Sequence, residues 1–150
     1  MTDRERRAWY GFLTMQEDLR RHLNRELAQN SGLSLSDYAV LSALQQSAQG
    51  VLRVYELRAL LRWEKTRLTH QVTRMIKRGL LERVRCEDSA RGMCVALTAE
   101  GRDAIEAALP DYLTHVRRVL FDVVTPRQLD VLAAVSEQVL DALEADPLDD

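Results

Sequence analysis

The spacing of apolar side chains predicts a chain built mainly from helices. Apolar residues recur every three or four positions through much of the sequence, which is the spacing that one buried face of a helix requires. Asn30 and Gly32 favour the end of the first helix, because both residue types tolerate the left-handed conformation that closes helices. The predicted helices cover residues 4–29, 36–47, 55–61, 65–78, about 99–119 and about 126–143.

Two of these helices begin with the sequence of a helix cap. Ser34 precedes the second helix with Asp37 three residues later, and Thr125 precedes the last helix with Gln128 three residues later. In a capping box, each of the two side chains accepts a hydrogen bond from the backbone N–H of the other residue. Thr98 is placed to cap the fifth helix. The starts of these helices are therefore predicted with some precision.

Short extended segments interrupt the helices in the middle of the chain. Leu81–Glu87 and Met93–Leu97 are predicted strands, joined by a charged turn over residues 88–92, and Val51–Arg53 can pair as one further short strand. A short helix, a tight turn, a second helix and a two-stranded hairpin form a winged helix-turn-helix. The expected fold class is mainly α with a small β wing. In the third helix we expect an inward-facing set consisting of Leu57, Leu60 and Leu61.

The fourth predicted helix carries the strongest functional signal. One side has an apolar stripe at helical spacing, consisting of Leu68, Val72, Met75 and Ile76. The opposite side is polar and basic, and consists of Thr66, Arg67, His70, Gln71, Arg74 and Lys77. Such side chains can donate to base edges in a major groove and bind phosphates. A solvated surface helix is the alternative interpretation of this segment alone.

The distribution of charge favours the nucleic-acid interpretation. The whole chain has a net charge of −2, with 21 Lys and Arg against 23 Asp and Glu. Residues 51–102 contain twelve basic against six acidic residues, whereas residues 103–150 contain three basic against eleven acidic ones. A basic middle segment suits a polyanionic partner even when the global charge is slightly negative.

The arrangement of these elements and four local motifs resembles the MarR family of bacterial transcription regulators. The motifs are 41–44 (LSAL), 57–60 (LRAL), 69–81 (THQVTRMIKRGLL) and 95–101 (VALTAEG), and the last two are the most specific. The resemblance covers essentially the whole chain. It implies that residues 34–98 form a winged helix-turn-helix domain that binds double-stranded DNA. The residues expected at the DNA are Lys65, Thr66, Arg67, Thr69, His70, Gln71, Arg74 and Arg78, with Arg91 reaching the minor groove from the wing.

The resemblance also implies a homodimer that pairs through residues 1–33 and 99–150. Apolar stripes on the first, fifth and sixth helices support this expectation independently, although these stripes could instead pack within one chain. Interface residues are expected to include Leu19, Leu23, Val116, Leu132, Val139 and Leu143. Family members often bind small aromatic compounds between the dimer arm and the winged unit. Aromatic side chains that could line such an effector pocket, or simply belong to the core, are Trp9, Tyr10, Phe12, Tyr38 and Trp63.

The two cysteines leave two interpretations open. Cys86 and Cys94 are too few for a disulfide scaffold and are not spaced as a metal clip. In a reducing cytoplasm they are expected to be free thiols. If the hairpin turn centres on Ala90, they lie opposite each other and could form a cross-strand disulfide.

Three classes of function compete for this sequence. We expect a DNA-binding regulator, most simply a repressor, that acts as a dimer and is released by a small-molecule effector. A protein that keeps the fold but acts as an antirepressor is the second class, and the basic face argues against it. An enzyme is the weakest interpretation, since no phosphate-binding loop or nucleophile elbow is present. His70 lacks Cys or carboxylate neighbours at ligand spacing, so no metal or cofactor is predicted.

No apolar run approaches the roughly 18 residues that span a bilayer, and no signal-peptide pattern opens the chain. The expected location is the cytoplasm, and no membrane partner is predicted.

Overall fold

A computed structural model describes residues 1–86 and 92–146. The charged turn, including Asp88 and Arg91, and the last four residues lie outside this part. The helices and strands are α1 (Asp3–Ser31), α2 (Leu35–Gln46), β1 (Val51–Arg53), α3 (Val54–Leu61), α4 (Lys65–Lys77), β2 (Leu81–Arg85), β3 (Met93–Leu97), α5 (Ala99–Val116) and α6 (Pro126–Ala145). The mainly α fold with a small β wing is confirmed.

The helix caps are where the sequence places them. Gly32 closes α1 in the left-handed conformation, with φ of 68°. Ser34 and Asp37 form a complete capping box at the start of α2, and Thr125 and Gln128 form another at the start of α6. The hydroxyl of Thr98 accepts a hydrogen bond from the backbone N–H of residue 101, as expected of the residue that caps α5. Local hydrogen bonding therefore accounts for these boundaries.

The sheet has three antiparallel strands in the order β1, β3, β2, so the predicted pairing of Val51–Arg53 is confirmed. In the hairpin, Val84 lies opposite Cys94 and Leu81 lies opposite Leu97. The inner face of the sheet contributes Leu81 and Val95 to the core.

The core lies beneath the helix-turn-helix. Its fully buried side chains include Leu41, Leu44, Leu57, Leu68, Met75 and Ile105. The prediction for Leu60 is wrong, because 63% of that side chain is exposed. Leu57 and Leu61 are four residues apart and share the inward face of α3, and Leu60 is turned by about 100° from Leu61.

The exit of α4 is tied to the entrance of α5. Gly79 takes a positive φ of 78°, which lets the chain leave the helix at once. The hydroxyl of Thr98 donates to the carbonyl oxygen of Gly79 over 2.6 Å, and its backbone N–H donates to that of Leu80 over 3.2 Å. A Cβ on Gly101 would collide with the Leu80 carbonyl oxygen, so the two backbones approach as closely as a glycine permits.

Backbone contacts divide the chain into two compact units, the first over residues 1–112 and the second from residue 113 onwards. The first unit holds α1, the winged part and most of α5. The predicted functional division into residues 34–98 and two flanking dimerisation segments stays a prediction. No helix in the described ranges is both long enough and apolar enough to cross a bilayer.

Candidate nucleic-acid interface

The basic helix α4 is seated in the core by its apolar stripe. Leu68 and Met75 are fully buried and Val72 nearly so, while Ile76 packs partly against the same cluster. The other side of the helix remains at the surface. Its exposed side chains are Lys65, Thr66, Arg67, Thr69, His70, Thr73, Arg74 and Lys77. Burial of one face thus fixes which side chains α4 presents to a partner.

Gln71 does not lie on the presented face, contrary to the prediction from the sequence. The residue is only 4% exposed, and its amide nitrogen donates to Oδ1 of Asp37 over 2.6 Å. Its amide oxygen accepts a hydrogen bond from Arg74 over 2.8 Å. Gln71 is three residues after Leu68 and four before Met75, so helical spacing alone places it on the buried side.

Arg78 also differs from its predicted role as a phosphate contact. Its guanidinium donates to Oδ2 of Asp37 over 2.6 Å and to the carbonyl oxygen of Gly32 over 3.2 Å. The side chain is 44% exposed, but its charge is paired with a carboxylate that is nearly buried. Arg78 therefore joins the end of α4 to the start of α2 and to the C-terminal cap of α1.

Asp37, which the sequence identified only as a helix cap, also bonds to the side chains of Gln71 and Arg78. Burial opposes its ionisation, but hydrogen bonds from Arg78 and the backbone of Ser34 outweigh that effect and lower the pKa of Asp37 below its usual value. The carboxylate accepts from the backbone of Ser34, from Gln71 and from Arg78. These partners lie up to 41 residues away in the sequence, which is why spacing within α2 gave no sign of them.

Arg67 is held in a defined position on the exposed face. Its guanidinium lies over the ring of Trp63, 4.0 Å from the centroid, and donates to the hydroxyl of Ser36 over 3.4 Å. Partial burial, and then the positive charge of Arg20, lower the pKa of Arg67. The arrangement is a stacked, pre-oriented guanidinium of the kind that binds guanine edges or phosphates bidentately.

The other residues predicted to contact DNA differ in how far they are available to a partner. The hydroxyl of Thr69 donates to the carbonyl oxygen of Lys65 over 2.9 Å, which leaves its methyl group and both lone pairs of its oxygen for a partner. His70 is exposed at the middle of the face. Arg91 lies outside the described residues, so its predicted minor-groove role stays a prediction. Among the described residues, no three His, Cys, Asp or Glu side chains are grouped to hold a metal ion.

The cysteines are joined to each other, so the expectation of free thiols is wrong. Cys86 and Cys94 form a disulfide across the base of the hairpin. The two cysteines are not directly opposite each other, because Cys94 lies opposite Val84 and the backbone N–H of Cys86 donates to the carbonyl oxygen of Gly92. The disulfide is diagonal to the strand pairing, with the two Cα atoms 5.4 Å apart.

The predicted aromatic residues do not line one pocket in this chain. Trp9 stacks on Phe12 near the exposed start of α1, whereas Trp63 supports Arg67. Tyr38 is buried and stacks on Tyr112 with ring centroids 4.0 Å apart. The pairs Trp9–Phe12 and Trp63–Arg67 are three and four residues apart, so each pair meets within one local segment. These aromatic rings therefore contact near neighbours in the sequence and do not contribute to a shared pocket.

An open cavity of about 700 Å³ lies between α2, β1 and α3. Tyr38 and Tyr112 form one wall, and the small side chains of Ala39 and Ser42 leave room beside them. Burial, and then the neighbouring Tyr112, raise the pKa of Tyr38 to about 12. Both tyrosines therefore keep their hydroxyl protons at neutral pH, and they combine apolar rings with hydrogen-bonding groups.

The predicted dimer residues fall into two groups. On α6, Leu132 is 37% exposed, and Val139 and Leu143 are more than half exposed. Leu19 and Val116 are half-buried, while Leu23 is buried within the chain itself at 8% exposure. Leu23 thus has little surface left to offer a partner. Further exposed apolar side chains at the start of α1 are Trp9, Tyr10, Phe12 and Met15.

The chain resembles solved transcriptional regulators over nearly its whole length. Sco3205 from Streptomyces coelicolor, solved in complex with DNA, is 30% identical, with a TM-score of 0.91 over 95% of this chain and 90% of that one. AbsC from the same organism is 31% identical, with a TM-score of 0.91 over 97% of both chains. A cysteine-to-serine mutant of MarR from E. coli, solved with operator DNA, is 21% identical and shares the fold, with a TM-score of 0.77 over 93% of this chain and 99% of that one.

A search of curated proteins finds no match. The MarR family model matches residues 31–92, which include the whole helix-turn-helix. The two Streptomyces proteins extend the likeness to nearly the whole chain. The chain has a basic helix whose apolar face is buried and a sheet of three strands. Together with these relatives, this shows that the chain belongs to the MarR family of transcriptional regulators.

Proposed function

We propose that the protein binds double-stranded DNA as a homodimer, with α4 of each chain as the recognition helix in a major groove. The observation that carries this proposal is the division of α4 into an apolar face sunk in the core and an exposed face of cations and hydrogen-bond donors. The exposed lysines Lys65 and Lys77 supply phosphate contacts. The oriented Arg67 and Arg74, with the exposed His70, supply base contacts. The relative Sco3205 was solved in complex with DNA, which supports the same use of this fold.

Dimerisation is supported by apolar surface that the single chain leaves uncovered. On α6, Leu132, Val135, Val139 and Leu143 follow one another at helical spacing and all are exposed. Monomeric soluble proteins rarely expose such continuous apolar stripes. A two-fold dimer would cover the same patch on both chains and would present two recognition helices to a pseudo-palindromic operator.

An effector would bind in the cavity beside Tyr38 and Tyr112. Its volume of about 700 Å³ lies within the range of small-molecule sites, and its wall offers two protonated phenol groups with apolar surface around them. A small aromatic compound fits this chemistry. Asp37 on α2 accepts a hydrogen bond from Gln71 on α4. A ligand that displaces α2 would therefore also shift the recognition helix.

The proposed regulatory role is repression by occupancy of an operator. A gel shift with DNA from upstream of its own gene tests binding, with a shuffled sequence of equal length as the competitor. We expect the protein to retard the upstream DNA, and we expect the complex to persist when the shuffled competitor is added. A matched variant, Arg67→Ala with Arg74→Ala, removes two exposed cations without touching the core and should abolish the selective complex. Absence of any selective complex for the native protein would favour the antirepressor alternative.

Effector binding is tested separately by thermal shift with salicylate and with unsubstituted phenol. Ala39→Phe fills the cavity from α2 and should remove any ligand-induced shift. Ala59→Phe is the control, because Ala59 is exposed on α3 and is not part of the cavity wall.

A further inference from the structure

We infer that Asp37 is a positioning residue that sets operator discrimination by holding Gln71 and Arg78 in opposite roles. It fixes Gln71 beneath the exposed face of α4, and through Gln71 it aligns Arg74 on that face. It also keeps Arg78 bound to the protein and away from the phosphates. This inference rests on the proposed DNA binding and concerns how selective that binding is.

The hydrogen bonds form a continuous row from the exposed face to the end of α1. Arg74 donates to Gln71 over 2.8 Å, Gln71 donates to Oδ1 of Asp37 over 2.6 Å, and Arg78 donates to Oδ2 of Asp37 over 2.6 Å. Arg78 then donates to the carbonyl oxygen of Gly32 over 3.2 Å. The row ties the recognition helix to α2 and α1 through one carboxylate.

Helix capping alone does not account for this geometry. As a cap, Asp37 needs only the bond that its Oδ2 accepts from the backbone of Ser34, over 2.9 Å. The residue is nevertheless 4% exposed, and its two oxygens accept from Gln71 and Arg78 as well. Charge-assisted bonds to a nearly buried carboxylate are short and directional, so they restrict the donors to one orientation.

The two donors would be affected differently by loss of the charge. Asparagine at position 37 offers one oxygen in place of two, so it cannot satisfy both Gln71 and Arg78. Gln71 would then no longer align Arg74. The difference in binding free energy between the correct and a wrong base pair would therefore become smaller. Arg78 would be released with its charge unpaired, and it would add one phosphate contact that carries no sequence information.

The experiment compares Asp37→Asn with the native dimer on operator and random DNA over a range of salt concentrations. Discrimination, the ratio of the two dissociation constants, should fall by about fivefold to a hundredfold per half-site, the range that one lost base contact gives. The salt dependence of random-DNA binding should become steeper by about one counterion per half-site. Ser34→Ala is the control, because it removes only the hydroxyl of the cap and should leave both quantities unchanged.

A second pair of variants keeps the test valid if Asp37→Asn does not fold. Lys77→Gln and Arg78→Gln remove neighbouring positive charges at the end of α4. Lys77→Gln should make the salt dependence shallower by about one counterion per half-site, and Arg78→Gln should leave it unchanged. An equal loss in both variants would show that Arg78 already contacts phosphate and would overturn the inference.

The outcomes separate the inference from the function on which it rests. A native protein that binds operator selectively, with an Asp37→Asn variant of equal selectivity and equal salt dependence, overturns the inference and leaves the proposed function intact. A native protein that selects no DNA sequence overturns both.

Discussion

The guanidinium of Arg67 lies over the indole ring of Trp63, 4.0 Å from the ring centroid. The pair connects the turn before α4 with an exposed donor in the first turn of that helix. The ring restricts the side chain before DNA arrives, so less rotational freedom is lost on binding.

Replacing Arg67 by Lys should separate charge from geometry. Lysine keeps the positive charge but lacks the planar fork that stacks on Trp63 and reaches two acceptors at once. We expect operator affinity to fall by about 1–3 kcal/mol per half-site, while random-DNA affinity and its salt dependence stay nearly the same. Competition titrations with the two DNAs measure both. An unchanged ratio would mean that Arg67 meets a phosphate and not a base.

Affinity for DNA should depend steeply on salt. Lys65 and Lys77 are exposed cations on α4, and a dimer would present four of them. If each meets one phosphate, the logarithm of the binding constant should fall with a slope of about −3.6 against the logarithm of salt concentration. Fluorescence anisotropy over a salt series gives this slope. Binding that is insensitive to salt would contradict the proposed groove contacts.

The sequence predicted the helices and caps because those features depend on neighbours within four residues. Gly32, Ser34 and Thr125 each act through their own backbone surroundings, and apolar spacing marks the buried face of α4 directly. The prediction failed for Gln71 and Arg78, whose partner Asp37 lies 34 and 41 residues away. Such contacts depend on how helices pack, which local spacing does not specify.

The hairpin shows a second limit of sequence analysis. A shift of one residue in the turn changes every opposing pair of a hairpin. The turn could be located from its composition, but the register of Val84 with Cys94 could not. For the same reason the presence of the disulfide could be proposed as an alternative but not decided.

Leu132→Asp should disrupt the dimer. Leu132 lies on the exposed apolar stripe of α6, and a carboxylate buried there against a second chain would lack a partner. Sedimentation should show monomers, and operator binding should be lost because two half-sites can no longer be held together. Ala134→Asp is the matched control, since it adds the same charge on the opposite side of α6. A Leu132→Asp dimer with native binding would exclude this stripe from the interface.

The disulfide should stabilise the oxidised protein. Cys86 and Cys94 are eight residues apart, and closing a loop of that length removes chain entropy worth about 2–3 kcal/mol from the unfolded state. The native protein should unfold at higher denaturant concentration without reductant than with it. The Cys86→Ser, Cys94→Ser variant should show no such difference. Equal stability of the oxidised and reduced native protein would contradict this expectation.

The contribution of Asp37 to stability should depend on acid pH. Its pKa is lower in the folded chain than in the unfolded one, so the stabilisation is complete above about pH 4 and is lost as the pH falls through the folded value. The native protein should therefore exceed Asp37→Asn in stability at pH 7, and the gap should close below pH 4. Asp130→Asn on exposed α6 is the control. A gap that is constant from pH 7 to pH 3 would show that ionisation of Asp37 is not its source.

The close approach of Gly101 to Leu80, with the two hydrogen bonds of Thr98, makes the exit of the recognition helix and the first turn of α5 one mechanical piece. The two segments are coupled because their backbones are in close contact at Gly101 and because Thr98 bonds to both residues 79 and 80. A tilt of α5 at this end would therefore carry the C-terminal end of α4 with it. A small rotation of α5 would then move the donors of α4 relative to the bases that they meet.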